Sequence, residues 1–121
     1  MINSLMISLM MKSNTSSFFL YNNIGEFMSI SVEEFIKIKD KINIIDIRSK
    51  RLYNINHIDN SINIELNDLL LNYSKYLNKI DKYYIYCQKG NNSLKMCNFL
   101  KNQGYNVINI LGGYENWILR K

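Results

Sequence analysis

The chain of 121 residues has no proline, one histidine, one tryptophan, two cysteines and five glycines. The histidine, His57, and the cysteines, Cys87 and Cys97, form no ligand cluster, so the sequence offers no metal site. Two cysteines are also too few for the disulfide framework of a small secreted domain. The basic residues are scattered, and no basic run alternates with aromatics, which argues against a nucleic-acid surface. The net charge of +5 reads as solubility with a mild preference for anionic ligands. Long apolar runs are missing too. The opening stretch MINSLMISLMMK is too short to span a bilayer. It has no basic region ahead of it and no small-residue cleavage site behind it, so it would make a poor signal peptide and is read instead as an extension, with no membrane partner expected. No function is drawn from the absence of proline or the abundance of asparagine and isoleucine.

What is present is a globular composition, 47% hydrophobic and 21% charged, of a length that fits one domain. Residues 1–27 differ from the rest and are read as an N-terminal extension outside the fold, with Phe18, Phe19, Leu20 and Tyr21 as a candidate short strand or turn. Residues 28–121 form the domain, long enough for one core.

Within the domain, strand and helix signals alternate. Ser29 and Ile30 suit a short edge strand. Ser31 and Glu34 have the spacing of a capping box, followed by a helix with Val32, Phe35 and Ile36 on one face, ending near Asp40. Residues 42–47 are short, β-branched and nearly all apolar, as in a buried parallel strand. Asp46 and Arg48 fall at its end, where Asp46 is read as a structural hydrogen-bond acceptor and Arg48 as a loop-bridging ion. Residues 51–54 suit one helical turn, and residues 61–64 a short strand. Leu66, Leu69, Leu70, Tyr73 and Leu77 have helical spacing, with Glu65 or Asn67 as the cap. Residues 83–86 and 106–111 are two further strands. Between them, a helix opening at Asn92 or Ser93 presents Leu94, Cys97 and Leu100, flanked by Met96 and Phe99, and stops at Gly104. Gly112 and Gly113 turn the chain into a last helix that packs Trp117. This alternation predicts an α/β fold with a central, mostly parallel sheet of about five strands flanked by helices.

The stretch at residues 83–93, YYIYCQKGNNS, is the chemical centre. An apolar strand ends on Cys87, and a polar loop leads into a helix. Backbone N–H groups of the loop and of the helix's first turn then point at the sulfur, and such donors favour a thiolate. Gly90 lets the loop curl so that its amides converge. A free cysteine is more often a small buried hydrophobe than a nucleophile, and Cys97, on a helix's core face, is read that way. The loop context of Cys87 reverses the reading.

Four motifs, in order, resemble the single-domain rhodanese-like sulfurtransferase family. Ile45-Asp46-Ile47-Arg48 resembles its D-x-R segment. His57-Ile58 and Asn60-Ser61-Ile62-Asn63-Ile64 resemble its G-H-I-x-G-A-x-N-I segment. Cys87-Gln88-Lys89-Gly90-Asn91-Asn92-Ser93 resembles its C-x-x-G-x-R-S loop, and Leu111-Gly112-Gly113 with Trp117 its closing L-x-G-G-x-x-x-W. The match covers residues 28–121. Asn56 and Asn60 replace two family glycines, and asparagine tolerates positive φ better than most residues. Asn92 stands where the family commonly has arginine.

The resemblance implies a rhodanese-like fold and a sulfurtransferase in which Cys87 is the catalytic nucleophile and carries a sulfane sulfur as a persulfide. Gln88, Lys89, Gly90, Asn91, Asn92, Ser93 and Arg48 are the candidate substrate-binding residues. It implies covalent catalysis with neither metal nor organic cofactor. The donor would be thiosulfate, another small sulfur-containing anion or a protein persulfide, and the acceptor cyanide, a thiol or a partner protein's cysteine. His57 is expected to be a structural loop residue. A free thiol at Cys87 fits a reducing compartment, the cytoplasm. The alternative is a rhodanese-like binding or sulfur-relay module with little thiosulfate turnover, the reading that Asn92 favours. A related fold runs phosphatase and arsenate reductase chemistry, but its loop ends in a phosphate-clamping arginine, and the first arginine after Cys87 here is Arg120.

Overall fold

Short runs of isoleucine, valine and tyrosine build one five-stranded sheet. The computed structural model describes residues 29–121; the expected extension, with its candidate strand or turn at residues 18–21, lies outside the described residues. The strands are β1 (Ser29–Ile30), β2 (Asn43–Asp46), β3 (Ser61–Asn63), β4 (Lys82–Tyr86) and β5 (Asn106–Ile110). Their order is β1-β5-β4-β2-β3, and every pairing is parallel. The helices are α1 (Val32–Ile38), α2 (Lys50–Ile55), α3 (Leu66–Tyr76), α4 (Asn91–Asn102) and α5 (Gly113–Arg120), with a 3-10 turn at Lys39–Lys41.

Parallel strands need covered faces, and both are covered. Val32 and Phe35 of α1 and Tyr114 and Trp117 of α5 pack on Ile44, Tyr84, Tyr86 and Ile110. Leu69 of α3 and Met96, Cys97, Phe99 and Leu100 of α4 pack on Ile45, Tyr83, Ile85 and Val107. Fully burying one such large side chain is worth about 1.5–3 kcal/mol, so the two faces together dominate stability. Strand periodicity sorts the residues. In β4, Tyr84 and Tyr86 face α1 and α5, whereas Tyr83, Ile85 and then Cys87 face α3 and α4.

Local signals set the element ends. The Ser31 hydroxyl accepts from the Glu34 N–H at 3.1 Å, as the capping pattern predicts. Glu34's carboxylate, however, pairs with Lys37 at 3.3 Å. Gly104 follows α4 at φ 97°, the left-handed position expected after a helix. Two details differ from the sequence expectation. α4 begins at Asn91, with Gly90 as its N-cap at φ 97°, so neither Asn92 nor Ser93 caps it. Its buried stripe is Ser93, Met96, Cys97 and Leu100, joined by Phe99, while Leu94 is only half-buried. The earlier start rotates the face and sets Ser93 at the head of the stripe, under the end of β4.

Candidate functional site

Cys87 follows the middle strand of the sheet, at the C-terminal edge where α/β folds form their crevices. Because it faces α4, its sulfur meets the start of that helix. The Gly90 N–H donates to Sγ at 3.1 Å and the Ser93 N–H at 3.3 Å. Ser93 is the third residue of α4, and that amide normally finds an N-cap side-chain oxygen. No side chain caps α4, and Cys87 Sγ takes the acceptor's place. The Ser93 hydroxyl lies 3.2 Å from the same sulfur. Cys87 is 6% exposed, at the base of a cleft of about 260 Å³ lined by Gln88, Lys89, Asn91 and Asn92.

Backbone contacts from α5 hold the loop. The Tyr114 N–H donates to the Cys87 carbonyl at 2.8 Å and the Glu115 N–H to the Gln88 carbonyl at 3.0 Å. With its carbonyls turned towards α5, the loop's amides turn towards the sulfur. This contact needs the glycine pair. A Cβ on Gly113 would lie 2.3 Å from the Cys87 carbonyl oxygen, and one on Gly90 2.9 Å from the Gly112 nitrogen.

Arg48 stands behind the loop. Its Nε donates to both Asp46 carboxylate oxygens, at 3.1 and 3.0 Å, and Nη2 to Asp46 Oδ2 at 2.8 Å. Nη2 also donates to the Asn56 carbonyl at 2.7 Å, and Nη1 to Gln88 Oε1 at 3.1 Å. The guanidinium lies 4.1 Å from the centre of the Tyr114 ring. Burial works against its charge, but the hydrogen bond and charge of Asp46 more than compensate and raise its pKa. Arg48 is 6% exposed and Asp46 0%. The pair thus ties the end of β2 to the His57 loop, the Cys87 loop and α5.

Of the residues singled out from the sequence, Gln88, Lys89, Asn91 and Asn92 line the cleft with Cys87. Gly90 and Ser93 lie buried beneath it as amide donors. Arg48 does not line the cleft and reaches it through Gln88. Lys89 is exposed at the rim. His57 stacks on Tyr53 at 3.8 Å, with Nδ1 2.8 Å from the Tyr53 carbonyl oxygen, a loop-holding role. Asn60 takes φ 69° in place of a glycine, but Asn56 is extended at φ −167°, a conformation any residue adopts. Burial pushes the Cys97 thiol's pKa up, in keeping with a core residue. Among the described residues, no cluster of three or more histidines, cysteines or carboxylates is placed to hold a metal, and no helix is long and apolar enough to cross a membrane.

Sequence reasoning missed Asn109. It accepts the Ser93 hydroxyl at 2.5 Å and is 1% exposed. The signal was available: an asparagine inside the apolar strand N-V-I-N-I, on the same face as Val107, one residue before the strand's end. The Gly113 contact was missed as well, because the glycine pair reads as a turn whatever it packs against.

Comparisons with known proteins bear on the fold and the family. The chain is 37% identical over 75 residues to a probable molybdopterin-synthase adenylyltransferase of Porphyra purpurea, covering 61% of this chain and 20% of that protein. The chain thus spans about a fifth of that relative's length, and 25% of the adenylyltransferase and sulfurtransferase uba4 of Ogataea parapolymorpha, to which it is 34% identical over 80% of its own length. It is 26% identical to the putative sulfurtransferase YtwF of Bacillus subtilis, covering 78% of this chain and 90% of that one. The crystal structure of a rhodanese-related protein from Thermoplasma volcanium superposes with a TM-score of 0.71 at 29% identity, covering 77% of this chain and 92% of that one. The rhodanese-like domain family matches residues 31–120. With an all-parallel five-stranded sheet, a strand-end cysteine in an amide-lined loop, and a family match running almost the whole length of the described residues, the chain belongs to the rhodanese-like domain family.

Proposed function

We propose that the protein is a sulfurtransferase that carries a sulfane sulfur on Cys87. The observation behind this reading is the pair of backbone N–H groups, from Gly90 and Ser93, that converge on Sγ at the floor of an open cleft. Donors so placed favour a negatively charged sulfur, and relatives named as sulfurtransferases are similar in sequence over more than three quarters of the chain.

In the proposed reaction the Cys87 thiolate attacks the outer sulfur of thiosulfate. A new S–S bond forms, the S–S bond of the donor breaks, and its electron pair leaves on sulfite. Cys87 is then a persulfide with its negative charge on the outer sulfur. Asn91 and Asn92, the first two residues of α4, have N–H groups with no carbonyl partner inside the helix, and these receive that charge. Cyanide or a thiolate next attacks the outer sulfur, leaves as thiocyanate or a persulfide, and returns Cys87 to the thiolate. A protein persulfide can donate in the same way, losing its outer sulfur and reverting to a thiolate. Lys89 attracts an anionic donor at the rim. Arg48, committed to Asp46 and the Asn56 carbonyl, acts on the donor by fixing Gln88. The chemistry needs a reduced thiol and so fits a reducing compartment such as the cytoplasm.

A second reading is a sulfur-relay module that receives sulfur from a partner's persulfide and turns over thiosulfate poorly. Asn92 supports it, since an uncharged side chain lines the cleft where the family commonly has arginine. The test is cyanide-dependent thiocyanate formation from thiosulfate and, separately, from cysteine persulfide. Both readings expect turnover with at least one donor and none in Cys87→Ser, and turnover with thiosulfate selects the sulfurtransferase. Turnover with the persulfide alone selects the relay, and turnover that survives in Cys87→Ser overturns both.

A further inference from the structure

We infer that Asn109 is a positioning residue that keeps the Ser93 hydroxyl proton away from Cys87, so that the resting sulfur is met by two backbone donors and an oxygen lone pair. Ser93 is fully buried, and its hydroxyl has three acceptors around it: Asn109 Oδ1 at 2.5 Å, Cys87 Sγ at 3.2 Å and the Gly90 carbonyl at 3.3 Å. A serine hydroxyl has a single proton to donate. The short bond to Asn109 takes it, because an amide oxygen can only accept. The other end of the amide is held as well: Ser29 lies opposite Asn109 in the β1–β5 register, and Asn109 Nδ2 donates to Ser29 Oγ at 3.2 Å.

At the sulfur, Ser93 therefore presents a lone pair. A thiol can donate its S–H to that lone pair. A bare thiolate is repelled by it, unless the hydroxyl turns and leaves the buried Oδ1 of Asn109 without its donor, which is costly. Asn109 thus opposes charge on Sγ itself. In the reaction proposed above, on which this consequence rests, the persulfide's charge sits on the outer sulfur, away from Ser93. The device then favours the sulfur-loaded cysteine over the bare thiolate.

Other charged or titratable groups also surround Cys87. Lys89 is on its own loop. Arg48, neutralised by Asp46, reaches it through Gln88, and Glu115 on α5 lies 3.5 Å from the Gln88 amide. Cys97 on α4, with Lys101 near it, shares the core face. All of them stay in place in variants of Ser93 and Asn109, so differences among those variants report on the hydroxyl.

The test is the pH profile of Cys87 alkylation by iodoacetamide, a readout independent of sulfur transfer, in four proteins: wild type, Asn109→Leu, Ser93→Ala and the double variant. Asn109→Leu frees the hydroxyl to donate to the thiolate, and its alkylation midpoint should fall by about one pH unit. Ser93→Ala should show no rise in midpoint, and the double variant should match Ser93→Ala. A rise of a unit or more in Ser93→Ala, an unmoved Asn109→Leu, or a double variant that follows Asn109→Leu and not Ser93→Ala overturns the inference. If leucine unsettles β5, Ser93→Ala alone decides, since a hydroxyl that donated to the thiolate would raise the midpoint when removed.

Discussion

Replacing Gly113 by alanine should damage the site more than any other glycine substitution of similar backbone cost. Gly113 has φ 63°, and a Cβ there would sit 2.3 Å from the Cys87 carbonyl oxygen and 2.8 Å from both the Gln88 carbonyl oxygen and the Gly90 nitrogen. All three are backbone atoms, so relief requires α5 and the loop to separate. Separation breaks the Tyr114 and Glu115 N–H bonds to the loop carbonyls. The left-handed backbone costs an alanine about 1–2 kcal/mol, and each lost hydrogen bond costs about 1 kcal/mol net. The expected loss is then about 3–4 kcal/mol, a large share of the roughly 5–15 kcal/mol that holds a domain together. Gly104→Ala is the control. Its φ of 97° also demands a left-handed residue, but its Cβ would meet only the flexible Lys79 side chain, at 3.3 Å or more. That variant should lose only the backbone contribution, about 1–2 kcal/mol. Urea unfolding of both variants gives the two numbers, and alkylation of Cys87 shows whether the loop has moved. Equal losses in stability, or wild-type alkylation in Gly113→Ala, would refute the claim that α5 shapes the loop through its backbone.

Other substitutions probe the remaining supports. Asp46→Ala leaves the buried Arg48 guanidinium without its carboxylate and should cost about 3–5 kcal/mol by urea unfolding. In the native protein iodoacetamide should label one thiol, Cys87, because Cys97 is fully buried with its thiol pKa pushed up by burial; mass mapping after brief labelling reads this directly. Asn92→Arg adds a charged fork at the cleft and should raise the rate with thiosulfate about tenfold or more, with little change for an uncharged donor.

Much of this was legible in the sequence because it depends on local pattern. The β-branched runs gave the strands, and helical spacing gave α3. The apolar strand ending on Cys87 ahead of a glycine loop and a helix gave the place of the sulfur. Asp46 was read as a structural acceptor at a strand end, and its carboxylate does accept, from Arg48. What stayed hidden depends on distant segments. The start of α4 was misplaced because Asn92 and Ser93 are good capping residues, whereas the helix is capped by the sulfur of a residue before it. Arg48 was grouped with the substrate-binding residues because sequence order does not reveal that the Asn56 carbonyl, Gln88 and the Tyr114 ring converge on it. Asn109 looks like a polar interruption in a strand until β5 is paired with β1 and covered by α4.

The central claim is that Cys87 holds a transferable sulfur, and intact-mass spectrometry tests it most directly. The wild type and Cys87→Ser are incubated with thiosulfate and, separately, with cysteine persulfide. The account predicts a gain of one sulfur atom on the wild type with at least one donor, none on Cys87→Ser, and return to the starting mass on adding cyanide. A wild type that gains nothing from either donor, or a Cys87→Ser variant that gains as much, would contradict it.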